Sequence, residues 1–426
     1  MKKIVIETII VIFIILLSLL LFFGPKQIEI LGNNYLSNIK VLDLSNVTID
    51  NMNWINKLNE FSNLEEVILG ENAILKEDKD SLEEKYPGIK FKGVSIINLY
   101  DLKVRDDITT LDLSKTKVDN NITKYLELFP NLQEVTFGNQ LLDKDLELLL
   151  IKIYPDTDFT FDVKVLDKVV ANKIETLDLS KSNINNKEDL VKSLKLLNNL
   201  KHLEMSNTNL SNEELGKLRE EFPNIEIDWT IYFGVWHIHT SDIAFSVLIS
   251  NFPYKRLTSE DLSFLKYCTK LEALDLGHQR ITDLNVIVDN LPNLRILILA
   301  DNKISDLTPL KKLKHLHYLE LFINNVKDIS PLASLDELVD LNLCFNRISN
   351  YDALLNLPKL ERLWLVGTGI SYDKYQELKA EYPNAIINKN GPGSTGRGWR
   401  SHARYYSMID MFHKRNYMSE EFSKYD

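Results

Sequence analysis

A leucine pattern that recurs at an almost constant interval constrains the fold of this 426-residue chain more than any other feature. The motif L-x-x-L-x-L occurs five times in succession. The five starts are Leu271, Leu294, Leu316, Leu338 and Leu360, so the interval changes by only one position along the series. Consecutive matches at one period indicate tandem repeats, in which each unit buries its leucines only against its neighbours.

Every repeat contains the same parts in the same order. The second and third leucines alternate as the inward residues of a short strand. An amide or hydroxyl side chain comes three positions after the third leucine, at Gln279, Asn302, Asn324, Asn346 and Thr368. An aliphatic residue comes two positions further on, at Ile281, Ile304, Val326, Ile348 and Ile370. We expect the amide to turn inward and bond to the backbone of the bend, and the aliphatic residue to close the core.

The N-terminal half repeats with a longer period. The segments VLDLSNVTID, TLDLSKTKVD and TLDLSKSNIN place Leu42, Leu111 and Leu177 at equivalent points. In each unit a second strand-like segment follows, then a helix that ends at a Tyr-Pro or Phe-Pro pair. The prolines of these pairs are equally spaced, at Pro87, Pro155 and Pro223. Because a residue before proline disfavours the helical conformation, we predict double units of strand, connection, strand and helix.

The longer period is interrupted once. After Leu177 the next LDL segment is expected near residue 245, but it begins at Leu274, and the residues between them include the aromatic segment 229–257. Extra residues of this kind indicate a surface elaboration or a join between two arrays. The predicted domains are a membrane anchor at 1–27, three double units at 28–228, an inserted or joining segment at 229–270, five regular repeats at 271–385 and a C-terminal cap or tail at 386–426.

The segments ISDLTPL and VKDISPL carry a resemblance to the leucine-rich repeats of bacterial cell-surface proteins, of the internalin-like 22-residue kind. Their Pro309 and Pro331 fit a short 3₁₀ turn, since a repeat of this size leaves no room for a long helix. The resemblance covers residues 271–385 and, more loosely, 38–228. It implies an α/β solenoid, a curved array with a parallel β-sheet on the concave face and short helices or 3₁₀ turns on the convex face. It also implies recognition rather than catalysis.

The first residues of the chain predict a membrane anchor. Residues 4–23 are apolar at all but three positions, and twenty helical residues span about 30 Å, the thickness of a bilayer's hydrocarbon core. A cleaved signal peptide is the alternative, but no small-x-small cleavage site follows this segment. We favour an uncleaved anchor with Lys2 and Lys3 inside. This predicts a single-pass cell-membrane protein whose partners include the lipid bilayer and whose repeats are extracytoplasmic.

Charge and loop chemistry argue against nucleic acid and nucleotide as partners. The net charge is -11, and no basic stripe offers the cations that phosphate binding requires. The glycine-rich segment 391–398 nearly matches the phosphate-binding loop G-x-x-x-x-G-K-[ST]. Arg397 replaces its lysine and Gly398 replaces its hydroxyl residue, so we interpret the segment as a flexible linker.

The two cysteines are predicted to be free thiols. Cys268 precedes the first regular repeat and Cys344 lies in the fourth. Neighbouring strands lie about 4.8 Å apart, which separates the two residues by roughly 15 Å, beyond the reach of a disulfide.

The binding site is predicted on the concave face, where side chains alternate with the leucines of the strands. In the last four repeats this face carries aromatic side chains beside charged ones, a composition that indicates a binding surface. The predicted binding residues are Ile298, Tyr318, Glu320, Phe322, Asp340, Asn342, Cys344, Arg362 and Trp364. No catalytic residue, cofactor or metal ligand is assigned.

The C-terminal segment 398–418 leaves open what covers this surface. It contains the apolar residues of a short amphipathic helix, namely Trp399, Tyr405, Tyr406, Met408, Met411 and Phe412. A solenoid requires a cap at its end, so the segment either caps the last repeat or folds into the concavity over the predicted site. In the first case the site is open to a partner.

The sequence therefore predicts a membrane-anchored, extracytoplasmic leucine-rich-repeat protein that binds a protein or cell-envelope ligand through its concave face. The alternative is an extracytoplasmic enzyme, such as a metal-dependent hydrolase, that uses the segment 229–257. His237 and His239 share one strand face near Asp242 and have ligand types suited to zinc. A polar strand face is the simpler interpretation, because no third firm ligand is present. His315 and His317 have the same spacing and the same simple interpretation.

Overall fold

Short strands at the predicted leucine positions form the framework of the fold, as seen in a computed structural model that describes residues 10–15, 24–247 and 256–415. The strands are β1 (Gln27–Ile30), β2 (Asn33–Leu36), β3 (Val41–Asp43), β4 (Glu66–Leu75), β5 (Lys90–Leu99), β6 (Leu102–Arg105), β7 (Thr110–Asp112), β8 (Glu134–Gly138), β9 (Asp158–Val165), β10 (Lys168–Ala171), β11 (Thr176–Asp178), β12 (His202–Glu204), β13 (Glu226–Asp228), β14 (Thr230–Phe233), β15 (Trp236–His239), β16 (Ala244–Ser246), β17 (Ala273–Asp275), β18 (Ile296–Ile298), β19 (Tyr318–Glu320), β20 (Asp340–Asn342), β21 (Arg362–Trp364) and β22 (Ile386–Asn388).

Helices connect these strands. The α-helices are α1 (Lys76–Lys85), α2 (Ile122–Leu126), α3 (Lys144–Ile153), α4 (Lys187–Leu196), α5 (Asn212–Glu221), α6 (Asn285–Val288), α7 (Tyr372–Glu381) and α8 (Ala403–Lys414). The 3₁₀ helices are Asn53–Glu60, Glu260–Tyr267, Thr308–Lys312, Ser330–Ser334 and Asp352–Asn356. Pro309 and Pro331 lie in the first turn of their 3₁₀ helices, as the sequence predicts.

The chain divides into two compact units. The first unit comprises residues 1–174 and 188–199, and the second comprises residues 175–187 and 200–426. In the first unit, parallel strands β3, β4 and β5 and parallel strands β7, β8 and β9 form two separate sheets, each completed by an antiparallel strand. Its core contains aliphatic and aromatic residues such as Leu42, Trp54 and Phe91. The boundaries of the predicted domains stay a prediction.

The second unit contains the five regular repeats in one parallel sheet of seven strands, in the order β16 to β22. Its register pairs the central leucine of each repeat with that of the next, from Leu274 through Leu297, Leu319 and Leu341 to Leu363. Each of these five side chains is completely buried. The same face of every strand therefore contributes to one continuous core, which is why the leucine period is strict.

Inward-facing amides tie neighbouring repeats together, as predicted. The Asn324 Oδ1 atom accepts a hydrogen bond from the Ile304 backbone N–H at 3.0 Å. Its Nδ2 atom donates to the Leu299 and Leu321 carbonyls at 2.9 and 3.0 Å. Asn302 and Asn346 repeat this pattern one repeat before and one repeat after. Buried backbone groups at the bend are thereby satisfied without a longer helix or strand.

The predicted interruption between Leu177 and Leu274 is only partial, because the longer repeat continues into this interval. In the longer period, an antiparallel hairpin comes before the first parallel strand of each repeat. The four hairpins are β1–β2, β5–β6, β9–β10 and β14–β15. Each hairpin closes through a two-residue loop that begins with a residue of positive φ, namely Leu31, Tyr100, Leu166 or Gly234. After the fourth hairpin, β16 lies at residues 244–246, where the next strand was expected. Phe245 is buried at the position that Leu42, Leu111 and Leu177 occupy in the earlier long repeats. Residues 248–255 of the predicted segment 229–257 lie outside the described residues.

Both cysteines are buried free thiols, which confirms the prediction for Cys268 and Cys344. Burial raises the pKa of each thiol to about 12. Neither side chain is therefore a nucleophile near neutral pH, because the thiolate is the reactive form.

The predicted membrane localisation is corrected by the structure. Of the apolar segment 4–23, residues 10–15 are described and are helical, while the rest lies outside the described residues. Among the parts of the chain that the structure describes, no helix has both the length and the apolar composition needed to cross a bilayer. The single-pass anchor, the lipid partner and the extracytoplasmic placement that depended on it are not retained.

Candidate functional site

The predicted binding residues lie together on the outward face of β18, β19, β20 and β21, which we call the sheet face. Each alternates with a core leucine, so its side chain lies on the opposite side of the sheet from the leucine core. None of them is open to solvent. The exposed fractions are 5% for Ile298, 0% for Tyr318, 1% for Glu320, 3% for Phe322, 1% for Asp340, 0% for Asn342, 0% for Cys344, 1% for Arg362 and 1% for Trp364.

The chain's own C-terminal segment covers the sheet face. This segment, residues 389–415, is called the tail, and α8 is its helix. Near β21, the Arg404 side chain donates a hydrogen bond to the Glu361 carboxylate. Near β16, the Ile243 N–H donates to the Arg415 carbonyl at 3.3 Å. The helix α8 therefore crosses the sheet from β21 to β16. Of the two positions that the sequence left open for the tail, this is the one over the predicted site.

The glycine-rich part of the tail is bound to the sheet face through its backbone. The Asn342 Nδ2 atom donates to the Ser394 carbonyl at 2.9 Å. The Trp364 Nε1 atom donates to the Gly396 carbonyl, also at 2.9 Å. Residues 391–398 connect the last repeat to α8, and two of their carbonyls dock on predicted site residues. The predicted flexibility of this linker stays a prediction.

Trp399 is buried in an aromatic pocket on the sheet face. Its ring centroid lies 5.5 Å from that of Tyr318 and 5.0 Å from that of Trp364. The Arg362 guanidinium lies 4.5 Å from the indole centroid, in position for a cation–π contact. The indole Nε1 donates a hydrogen bond to the Glu320 carboxylate at 2.7 Å. The pocket therefore satisfies both the flat ring and the single donor of the indole.

A buried ionic network lies beside this pocket. Arg362 donates from Nε and Nη2 to the two Asp340 oxygens at 2.8 and 2.6 Å, a bidentate pair. Its Nη1 donates to the Trp399 carbonyl at 3.2 Å. The tail adds a second guanidinium, because Arg404 contacts Glu361 and its Nε atom lies 3.5 Å from the Asp340 carboxylate. Both arginines are almost completely buried, so removal of one charge would leave another unpaired.

The apolar face of α8 completes the cover. Met408, Met411 and Phe412 are buried in one cluster with Tyr318, Phe322, Trp364 and other residues of the sheet face. Spacings of three and four place these three side chains on one face of the helix. Ala244 and Ala273 belong to the same cluster, and their small side chains on β16 and β17 leave room for a helix above the sheet.

Burial under the tail shifts the titration of two carboxyl groups of the second unit. Burial raises the pKa of Glu320, although the Tyr318 hydroxyl and the Trp399 indole donate hydrogen bonds to the carboxylate. Burial also raises the pKa of Asp275 to about 6, against hydrogen bonds from the Gly277 N–H and the Ser246 hydroxyl. Both groups favour protonation in the covered state, because their charged forms are poorly solvated there.

Two exposed apolar residues lie just after the strands and outside this cover. Ile323 is 43% exposed and Phe345 is 42% exposed, and both have positive φ. In the next repeat the equivalent position is Gly367, where an added Cβ would lie 2.4 Å from the Phe345 ring. The glycine therefore gives the ring room to lie against the backbone. Phe345 is not part of the sheet face, although its neighbour Cys344 is.

The histidines of the hairpin β14–β15 do not form a metal site within the described residues. The His239 Nε2 atom lies 2.9 Å from the Glu204 carboxylate, while the ring of His237 lies against Tyr232. In the described ranges, no group of three or more potential ligands from His, Cys, Asp and Glu is close enough to hold a metal ion. Within the described part of the segment 229–257, no geometry therefore favours a metal-dependent hydrolase.

Sequence reasoning missed several residues that build the covered face. Arg404 carries the second buried guanidinium but was not singled out, because a lone arginine in a tail has no periodic signal. Ala244, Ala273 and Ala300 were visible as small residues at outward positions of successive strands. Small outward residues beside large ones indicate a close approach by another element, and the sequence analysis did not use this signal to choose between the two positions of the tail.

Comparisons with known proteins agree with the repeat pattern. A family model described as leucine-rich repeats (two copies) matches residues 292–334. Internalin C2 from Listeria monocytogenes is 26% identical, with 51% of this chain and 81% of that chain covered and a TM-score of 0.29. Internalin F from the same organism is 19% identical, covering 84% and 83%, with a TM-score of 0.31. A leucine-rich-repeat protein of Leptospira interrogans is 18% identical, covering 83% and 96%, with a TM-score of 0.32.

These TM-scores are too low for the superpositions to carry a functional argument. The match to the family model and the parallel pairing of successive repeats confirm the predicted leucine-rich repeats and the α/β solenoid, and the chain is similar to internalins. Proteins of this kind are typically binding proteins and not enzymes.

Proposed function

We propose that this leucine-rich-repeat protein binds a protein partner through the sheet face of its second unit, and that the tail occupies this face until a partner replaces it. The observation that carries the proposal is the tail itself. A linker and a helix from outside the repeats are held on the predicted site by aromatic, ionic and backbone contacts. A surface that holds one helical segment in this way has the chemistry to hold another.

The linker supports an exchangeable cover. Four of the residues from 391 to 398 have positive φ, namely Gly391, Gly393, Arg397 and Gly398. Three are glycines, for which such a conformation costs little and which lose the most freedom when they are ordered. Ordering these glycines on the sheet face therefore has an entropic cost, which lowers the net stability of the closed tail. The predicted cell-envelope ligand has no specific contact in favour of it, whereas a helical protein segment does.

The test uses a full-length chain with a specific protease site inserted after Asn390, before the docked carbonyls of Ser394 and Gly396. Cleavage after folding leaves the tail bound without a covalent link. A fluorescent synthetic peptide of residues 394–415 is then added in excess, and its incorporation is measured by anisotropy. We expect saturable incorporation into the cleaved chain and much weaker binding to the intact chain, because the tethered tail has a high effective concentration.

Two matched variants identify the surface. Phe322→Ala removes a ring buried under the tail, and we expect it to weaken peptide binding by about tenfold or more. Phe345→Ala removes an exposed ring outside the sheet face and should leave binding unchanged. Failure of the peptide to exchange into the cleaved chain, or equal losses in the two variants, would overturn the proposal.

A further inference from the structure

On the basis of the proposed function, we infer that the partner segment recognised by the sheet face is a cationic amphipathic helix preceded by a tryptophan, which lies five residues before an arginine in the first turn of that helix. The tail presents this arrangement with Trp399 and Arg404. Two fixed positions on the sheet face receive these side chains, and each position has its own chemistry.

The first position selects an indole. The Glu320 carboxylate is buried and accepts hydrogen bonds from the Tyr318 hydroxyl and from the Trp399 Nε1 atom. A phenylalanine in the same place would fill the aromatic space but would supply no donor to the carboxylate. A buried carboxylate that loses a donor is penalised more than a ring that loses a contact, so tryptophan is favoured over phenylalanine.

The second position selects a guanidinium. Glu361 and Asp340 face Arg404 from the sheet, and Arg362 already neutralises Asp340 through its bidentate pair. Arg404 is the cation that contacts Glu361, so this acidic position favours a partner that brings a positive charge.

The tail does not satisfy this second position completely. Arg404 is 2% exposed, yet its Nη1 and Nε atoms have no hydrogen-bond partner among the described residues. Buried guanidinium N–H groups without acceptors are costly. The tail is thus a ligand of imperfect fit. A partner segment whose own arginine has acceptors for all its N–H groups at this position has an advantage over the tail.

The remaining contacts set the helix register. Met408, Met411 and Phe412 follow Arg404 at four, seven and eight residues and cover the apolar part of the face. Anchors at these intervals lie along one side of a helix. Methionine adapts to irregular surfaces, so we expect these positions to tolerate other large apolar residues. The tryptophan and the arginine carry the specificity.

The experiment is a competition for the cleaved full-length chain described above, with the labelled peptide 394–415 as probe. The unlabelled competitors are the same peptide and its variants Trp399→Phe, Arg404→Glu and Tyr406→Ala. Tyr406 is 63% exposed, so its variant is the matched control. We expect the first two variants to need at least about tenfold more peptide for half displacement, and the control to compete like the original.

A charge exchange identifies the acidic partner. The Glu361 side chain is 48% exposed, so Glu361→Arg is expected to leave the fold intact. In that variant the Arg404→Glu peptide should regain affinity relative to the original peptide. Equal competition by all peptides would overturn the inference while leaving the proposed function in place, because the face would bind helices without selecting the pair. No exchange of the original peptide would overturn both.

Discussion

Glu147 is a buried carboxyl group of the first unit that has no compensating hydrogen bond among the described residues. It lies on α3, is 1% exposed, and neither carboxylate oxygen accepts a hydrogen bond of normal geometry from the described residues. Burial raises the pKa of Glu147 to about 8, and the nearby Asp143 adds to this rise while Lys144 opposes it. A carboxyl group in such surroundings is kept in its neutral form.

The pH dependence of stability follows from this shift. Because the pKa of Glu147 is higher in the folded chain than in the unfolded chain, its contribution is fully present below about pH 4.5 and is lost as the pH rises towards 8. We expect Glu147→Gln to raise the free energy of unfolding at pH 8. We also expect it to remove a slope of up to about 1.4 kcal/mol per pH unit between pH 5 and 8.

Denaturant unfolding of the wild type and the variant at several pH values measures this slope. Glu127 is exposed in the same unit, so Glu127→Gln is the control and should leave the slope unchanged. A slope that is the same in the wild type and in Glu147→Gln would contradict the assignment.

The bend that follows each strand is the element that repeats most faithfully. Asn302, Asn324 and Asn346 each accept from one backbone N–H and donate to carbonyls of two repeats. At the end of the array Thr368 replaces the amide, and its hydroxyl donates to the Leu365 carbonyl alone. Thr368 therefore keeps the bond within its own repeat, whereas each of the three amides also bonds to the repeat before it.

This difference predicts unequal costs for two similar substitutions. Asn324→Ala leaves a buried N–H and buried carbonyls without partners, so we expect a loss of about 2–4 kcal/mol in the free energy of unfolding. Thr368→Ala removes one hydrogen bond, and we expect about 1 kcal/mol. Chemical denaturation of the two variants measures both values. Comparable losses would mean that the amide does not link the repeats.

At the scale of the whole molecule, each of the two units has its own buried cluster. Leu42, Val67 and Phe91 belong to the cluster of the first unit, and Tyr318 and Trp399 belong to the cluster of the second. In repeat proteins stability arises mainly between neighbouring repeats, so a local defect has its largest effect on the adjacent strands.

A core substitution in the second unit should therefore act locally. Leu319 is completely buried in β19, and we expect Leu319→Ala to cost about 2–5 kcal/mol. Hydrogen exchange should lose protection in β18 to β20 and keep it in β7 to β9. The reciprocal variant Val135→Ala in β8 should show the opposite pattern. Equal loss of protection in both units after either substitution would contradict this expectation.

The features predicted correctly share a local origin. Leu341 and Asn346 have equivalents one repeat earlier, at Leu319 and Asn324, and their partners lie in the adjacent repeat. The hairpins were missed because their loops, such as Leu31-Gly32 and Tyr100-Asp101, do not carry the Asn-Gly signal of a tight turn. The strand at Phe245 was missed because phenylalanine replaces the leucine of the motif.

The sequence by itself determined the repeats, the strands at the leucine motifs, the inward amides and the free thiols, because each depends on residue type and on contacts between neighbouring repeats. Only the tertiary structure decided that the predicted binding face is covered. The contact between Glu320 and Trp399 joins residues 79 positions apart, across a glycine-rich linker that permits more than one course. Amphipathic spacing specifies that the tail helix needs an apolar surface. Which surface it takes depends on the shape and charge of the assembled sheet face.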